Sequence, residues 1–179
     1  MSESREARVE IIRSKIRDVP DFPKPGILFK DITPVLADPR AFNLCLDLLA
    51  ETFDGQQVDG IVGIESRGFI FGAALASRMR KAFIPVRKPG KLPAATHKVS
   101  YELEYGTDTV EIHRDAIAPG ESVIVVDDLI ATGGTAWAAC ELVKKLGGNV
   151  LGAAFVIELT FLPGRKRLEP VPVSTILQY

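Results

Sequence analysis

Val123-Ile124-Val125-Val126-Asp127-Asp128-Leu129-Ile130-Ala131-Thr132-Gly133-Gly134-Thr135 is the stretch that decides the fold. Its first four residues are apolar and β-branched, the pattern of a parallel strand buried on both faces. Two adjacent carboxylates follow at the strand's carboxyl end, then a loop of small residues from Ala131 to Thr135. A helical pattern comes next, with Ala136, Ala139, Cys140, Leu142, Val143 and Leu146 as its apolar positions. Ligands of open α/β sheets bind at the carboxyl ends of strands. A Gly-rich turn that opens a helix offers unpaired N–H groups and a positive dipole end to a phosphate. Paired carboxylates accept hydrogen bonds from the vicinal hydroxyls of a ribose. The stretch therefore has the chemistry of a ribose-5-phosphate site.

Outward from it, strands are expected at Gly60 to Ile64, Ala82 to Val86, Ser122 to Val126 and Val150 to Ile157. Helices between them fall at about Gly68 to Arg80 and Thr135 to Leu146. Such alternation implies parallel βαβ units and a doubly wound sheet. Nearer the N-terminus, Val9, Ile12 and Ile16 predict a helix over residues 4–17. The prolines of Asp18-Val19-Pro20-Asp21-Phe22-Pro23-Lys24-Pro25-Gly26 keep the next segment non-helical. Asp38-Pro39 then reads as an N-cap and first helical residue, with Phe42, Leu46, Leu49 and Phe53 as the apolar stripe. Between Arg87 and Ser122 the alternation fails. Lys88 to Ser100 reads as loop, and Tyr101 to Tyr105 pairs with Thr109 to His113 around Gly106-Thr107-Asp108. A long excursion of this kind inside a compact domain reads as an active-site lid.

Bulk properties bound the function. A chain of 179 residues fits one domain, and 46% apolar with 25% charged residues is the balance of a soluble globular protein. No apolar run approaches a membrane span, and Met1 to Arg17 lacks the apolar core of a signal peptide. Cys45 and Cys140 lie among apolar neighbours and read as buried reduced thiols, which fits the cytoplasm. A net charge of −1 gives no global case for nucleic acid. Charge is uneven, however: no acid occurs from Ser66 to Tyr101. Within that span Arg78, Arg80 and Lys81 read as a solvated helix face. Arg87, Lys88 and Lys91, around Pro89-Gly90, follow a strand and so lie where a polyanionic substrate would bind. Arg165-Lys166-Arg167 reads as a solvated turn. Gly-x-Gly, Walker A, Cys-x-x-Cys and His-Glu-x-x-His patterns are absent, and His97 and His113 read as structural or exposed.

The strand, acid pair and Ala-Thr-Gly-Gly-Thr loop resemble the signature of the type I phosphoribosyltransferases, which bind 5-phosphoribosyl-1-pyrophosphate (PRPP). Three further segments resemble the adenine-using branch of the purine members. Phe22-Pro23-Lys24-Pro25-Gly26-Ile27-Leu28-Phe29-Lys30-Asp31-Ile32-Thr33-Pro34 is similar to its base-binding segment, and Gly63-Ile64-Glu65-Ser66-Arg67-Gly68-Phe69 to its pyrophosphate loop. Arg87-Lys88-Pro89-Gly90-Lys91-Leu92-Pro93 with Tyr101-Glu102-Leu103-Glu104-Tyr105-Gly106 is similar to its second basic loop and lid. The likeness extends to Glu158-Leu159-Thr160 and Leu177-Gln178-Tyr179 and covers nearly the whole chain beyond the first twenty residues.

The resemblance implies the type I fold, an α/β architecture with a mostly parallel central sheet flanked by helices. It implies one domain over residues 1–179, with a small hood at about 18–36 and a lid at about 92–115. The implied reaction is adenine + PRPP to AMP + pyrophosphate, dependent on Mg²⁺ held mainly by PRPP and water. Asp127 and Asp128 would hold the ribose, and Ala131, Thr132, Gly133, Gly134 and Thr135 the 5-phosphate. Glu65, Ser66, Arg67, Arg87, Lys88 and Lys91 would serve the pyrophosphate, with a strained peptide expected at Glu65-Ser66. Leu28, Phe29 and Lys30 would read adenine, Phe29 by stacking. Glu104 would be the acid/base and Tyr105 would help close the lid. A homodimer is implied, with Arg87 the candidate to act across it, and neither nucleic acid nor membrane is expected as a partner. A PRPP-binding regulator without catalysis, or an enzyme for another purine, remain alternatives.

Overall fold

The computed structural model describes residues 3–102 and 106–179. Two compact units share the chain, one up to Leu48 and one from Leu49 onward. In the first unit the Ser4 hydroxyl accepts the Ala7 N–H at 3.2 Å and opens α1 (Arg5–Arg13). The helix expected to reach residue 17 stops there, because Arg17 begins β1 (Arg17–Pro20). β1 pairs antiparallel with β2 (Leu28–Asp31), and the register sets opposite charges face to face. Arg17 meets Asp31 at 2.5 Å and Lys30 meets Asp18 at 2.7 Å. Cross-strand pairs of this kind stabilise a ladder that helical periodicity alone does not reveal. α2 (Thr33–Ala37) follows, then α3 (Pro39–Glu51). Asp38 caps α3 as its Asp-Pro pair predicts, its Oδ1 accepting from Arg40 N at 2.9 Å and Ala41 N at 3.1 Å.

The second unit runs β3 (Gly60–Ile64), α4 (Gly68–Met79), β4 (Ala82–Val86), β5 (Thr96–Glu102), β6 (Thr107–His113), β7 (Ser122–Ile130), α5 (Gly134–Lys145), β8 (Asn149–Glu158), α6 (Gly164–Arg167) and β9 (Val173–Gln178). Five strands form one sheet in the order β4-β3-β7-β8-β9, every neighbouring pair parallel. Val123 to Val126 sit at its centre and are fully buried. Each such side chain contributes about 1.5–3 kcal/mol by burial, so this run anchors the sheet.

Three features depart from the sequence expectation. β7 continues past Val126 to Ile130, because Asp127 and Leu129 stay in register with Phe155 and Ile157 of β8. The acid pair thus lies within the strand rather than after it. β5 begins at Thr96 inside the expected loop, since Thr96 to Ser100 pair with Thr109 to His113. β9 was not expected and completes the sheet edge. The β5–β6 hairpin is a sheet of its own, joined to the end of β4 by a single bridge from Arg87 to Glu111. Its Val99, Tyr101, Val110 and Ile112 are buried in the same apolar cluster as Ala136, Ala139, Cys140 and Val143 of α5. Cys45 and Cys140 are buried, and burial pushes both thiols up to about 12. Among the described residues no helix is long and apolar enough to cross a membrane.

Candidate active site

Ala131 to Thr135 join β7 to α5 around a cavity of about 110 Å³ that Asp127, Ile130 and Ala136 also line. α5 has no side-chain cap; its N-cap is Gly133, held at φ 77°. That conformation favours glycine, and the first N–H groups of a helix have no intrahelical partner. The first turn of a helix without a side-chain cap is a ready anion site. No side chain could replace these glycines. A Cβ on Gly133 would come 2.6 Å from the carbonyl oxygen of Gly164, and one on Gly134 would come 2.8 Å from the Tyr101 ring.

Beside the loop stands the acid pair. Asp128 is buried, and its Oδ2 pairs with Nε of Arg67, which precedes α4. Asp127 Oδ1 accepts the Asp128 N–H at 2.8 Å. Burial, and then the neighbouring Asp128 carboxylate, hold the Asp127 carboxyl well above the usual carboxylate range. The pair is therefore asymmetric, one acid with a cationic partner and one with a backbone donor and a like neighbour. Gly68 lets the chain pass close by, since a Cβ there would meet Asp127 Oδ1 at 2.8 Å. The Glu65–Ser66 peptide is cis.

Basic residues from the ends of β3 and β4 converge on the same edge. Arg87 donates from Nε to Glu65 Oε2 at 3.2 Å and from Nη2 to Glu65 Oε1 at 3.3 Å. Its Nη1 donates to the Lys91 carbonyl at 3.0 Å. The Lys88 N–H also donates to Glu65 Oε2, at 3.0 Å. Burial alone would raise Glu65, but the Lys88 N–H and Arg87 outweigh it and lower its pKa. Lys88 Nζ pairs with Asp108 Oδ2, and the Tyr101 hydroxyl donates to that oxygen at 3.0 Å. The Tyr101 hydroxyl also lies 2.8 Å from Thr135 Oγ1. Burial opposes the charge on Lys88, yet Asp108 more than offsets it and raises the lysine's pKa. A continuous polar chain thus runs from Lys88 through Asp108 and Tyr101 to Thr135.

Sequence reasoning missed Asp108 and Tyr101. The first reads as a turn residue and the second as one more alternating strand position. Only the register that sets them opposite each other discloses the link. Glu104 and Tyr105 lie outside the described residues. The adenine segment belongs to the first unit. There Phe29 packs edge-to-face on Phe22, with ring centroids 5.1 Å apart. The two rings, Val19 and Asp31 line a pocket of about 230 Å³. Leu28 is 52% exposed, so this hairpin presents apolar surface rather than plain core. Lys30 is engaged by Asp18. As expected, Arg78, Arg80 and Lys81 are solvent-exposed. Arg165 and Lys166 are solvent-exposed, as their basic run suggests, but Arg165 also forks onto buried Glu158.

Comparison with known proteins bears on the family and the fold. A phosphoribosyl transferase domain model matches residues 32–174. An adenine phosphoribosyltransferase of Sorangium cellulosum is 58% identical over 179 residues, covering 97% of this chain and 90% of that protein. The crystal structure of the adenine phosphoribosyltransferase of Thermoanaerobacter pseudethanolicus superposes with a TM-score of 0.93 at 53% identity, covering 96% of this chain and 99% of that one. The Saccharomyces cerevisiae enzyme, crystallised with adenine and an imino-altritol bisphosphate, gives 0.92 at 46% identity, covering 96% and 99%.

Proposed function

This chain belongs to the phosphoribosyltransferase family, and from that premise we infer that it transfers the 5-phosphoribosyl group of PRPP to adenine, yielding AMP and pyrophosphate. The observation that carries the reading is one edge of one sheet. It sets an acid pair, an uncapped helix start, Arg67 and Lys88 side by side. Ribose hydroxyls, 5-phosphate and pyrophosphate each find a chemically matched partner there.

Asp127 and Asp128 accept from the ribose hydroxyls, and residues 131–135 hold the 5-phosphate. The bond from the anomeric carbon to the pyrophosphate oxygen breaks with its electron pair leaving on oxygen. Positive charge grows on the sugar and negative charge on the leaving group. Arg67, Lys88 and Lys91, with Glu65 and Ser66 in the supporting loop, stabilise that departure. Arg87 serves the same charge, offered across a homodimer. Adenine rests on Phe29, its edge read by backbone near Leu28 and Lys30. Its attacking nitrogen closes the new bond to the anomeric carbon and gives its proton to Glu104, and Tyr105 helps close the lid over the sugar.

Three of these cations pair with carboxylates of the chain: Arg67 with Asp128, Arg87 with Glu65 and Lys88 with Asp108. Binding PRPP is therefore an exchange of ion pairs rather than the capture of a polyanion by bare charge. The donor set suits Mg²⁺, which takes one or two carboxylates and completes its shell from phosphate and water. PRPP and water would hold the ion in the main, next to the acid pair beside the phosphate loop. Bound there, the ion would draw negative charge from the pyrophosphate. The buried reduced thiols fit a cytoplasmic enzyme.

Incubation with PRPP, Mg²⁺ and each purine in turn tests the reading. AMP from adenine alone is expected. Product from guanine or hypoxanthine would reassign the base. Tight PRPP binding with no product from any purine would replace the enzyme by a regulator.

A further inference from the structure

Glu158 ends β8 and is only 5% exposed. A carboxylate so placed needs a full set of donors to offset its desolvation. Its oxygens receive four: Arg165 Nε at 2.9 Å, Arg165 Nη2 at 2.6 Å, Thr175 Oγ1 at 3.0 Å and Gln178 Nε2 at 3.0 Å. Arg165 Nη1 reaches the Val173 carbonyl at 2.6 Å. The guanidinium thus fastens the start of α6 to the end of β8 and the start of β9. Backbone bonds from Tyr179 N to Glu158 O at 3.0 Å and from Thr160 N to Tyr179 O at 2.9 Å tie the same corner.

The turn held by this fork is the back wall of the phosphate loop. Gly133 lies backbone to backbone on Gly164, where a Cβ would come 2.6 Å from the Gly164 oxygen and 3.0 Å from Leu168 Cδ1. A Cβ on Gly134 would lie 3.2 Å from Arg167 Nη1. Nothing compressible separates wall from loop. Any movement of Gly164 passes to the first N–H groups of α5, whose bonds to a phosphate weaken steeply with misalignment.

We propose that Glu158 and Arg165 are positioning residues for the 5-phosphate, setting the Gly164 turn against which the Gly133–Thr135 N–H groups are held. This rests on the assignment of residues 131–135 to the 5-phosphate. The Arg165 fork, then burial against it and the Gln178 and Thr175 bonds, leave Glu158 ionised down to about 2, so the device works at any physiological pH.

AMP carries the 5-phosphate without the pyrophosphate, so the two ends of the site can be titrated separately. Calorimetry on the full chain would measure the Kd of AMP and of magnesium pyrophosphate for Arg165→Lys, Glu158→Gln and Thr175→Val. Loss of one charge-assisted hydrogen bond predicts AMP about tenfold weaker in the first two and a few-fold weaker in the third. Pyrophosphate should stay within about twofold, as for sites without shared partners. The KM for PRPP should rise by more than kcat falls. Unchanged AMP affinity in the folded variants would overturn the proposal. Equal weakening of both ligands would overturn it too, because general loosening does not select one end. Thr175→Val keeps the test decisive if Glu158→Gln does not fold. Thr135→Pro, which removes one N–H from the first turn of α5 where proline is tolerated, serves as control: if it binds AMP like the parent, the loop assignment itself fails.

Discussion

Asp128 lies within β7 and Glu158 ends β8, its neighbour in the sheet, and each is buried against an arginine. Their surroundings differ in a way that separates a working carboxylate from a structural one. Glu158 is saturated by a bidentate guanidinium, a hydroxyl and an amide. Asp128 takes Nε of Arg67, but its neighbour Asp127 is a second carboxyl that raises the local cost of charge. Saturation leaves nothing for a ligand to gain. Crowded like charge leaves acceptors that ribose hydroxyls or a cation can relieve.

The largest effect expected from this contrast lies at the acid that would do chemistry. Glu104→Ala should lower kcat by roughly 100- to 10,000-fold, the usual worth of a general acid/base. AMP affinity should change far less. Stopped assays and AMP titration on one preparation would check both, and an unchanged kcat would sink the assignment. Next come Asp127→Asn and Asp128→Asn, each expected to reduce kcat/KM for PRPP on the order of a hundredfold by replacing a carboxyl that accepts from the ribose hydroxyls.

Stability should move oppositely at the two acids. The Asp127 carboxyl is raised by burial and by Asp128, so the folded chain keeps a proton that the unfolded chain releases near the ordinary aspartate value. Stability is therefore lost as pH climbs through the raised value. Asp127→Asn abolishes that loss, so its Tm should exceed the parent's at pH 7 and converge with it near pH 4. For Glu158 the pKa is depressed to about 2, by the Arg165 fork first. Its stabilisation is present above the unfolded glutamate value and drains away as pH falls towards about 2. Glu158→Gln should cost about 1–2 kcal/mol at pH 7, discounted because Arg165 is partly exposed, and the difference should vanish in acid. Thermal melts from pH 2 to 8 would decide both signs.

These two sites were not equally legible in the chain. The ribose-phosphate site is local: strand, acids, loop and helix follow one another from Val123 to Leu146, so residue order and periodicity disclose it. The extent of β7 was not legible, because Asp127 and Leu129 are kept in the ladder by β8 rather than by any preference of their own. Glu158 and Arg165 were hidden for a different reason. The arginine stands in Arg165-Lys166-Arg167, a run whose composition signals solvent, and although it stays exposed only the fold shows that it bonds Glu158 and the Val173 carbonyl. The β1–β2 hairpin was masked by a helical period that ran one turn too far, into Arg17. Phe29 needed the fold as well, since an apolar triplet looks like core until Leu28 is found half exposed.

The smallest expected effect bears on where a carboxylate stops being structural. Asp108 holds Lys88 and receives the Tyr101 hydroxyl, so it resembles Glu158 in satisfying its partners. Yet Lys88 and Asp108 are 40% and 30% exposed in their side chains, and the cation is one that pyrophosphate would claim. A half-solvated pair is worth about 0.2–1 kcal/mol. Asp108→Asn keeps an oxygen for Tyr101 and removes only the competing charge. If Asp108 is a counter-ion that the substrate displaces, magnesium pyrophosphate should bind up to about fivefold more tightly to the variant. The gain should shrink at high salt, where the pair is already screened. If binding weakens instead, Asp108 pre-aims Lys88, and the line between working and structural carboxylates falls at Asp128 rather than at the hairpin.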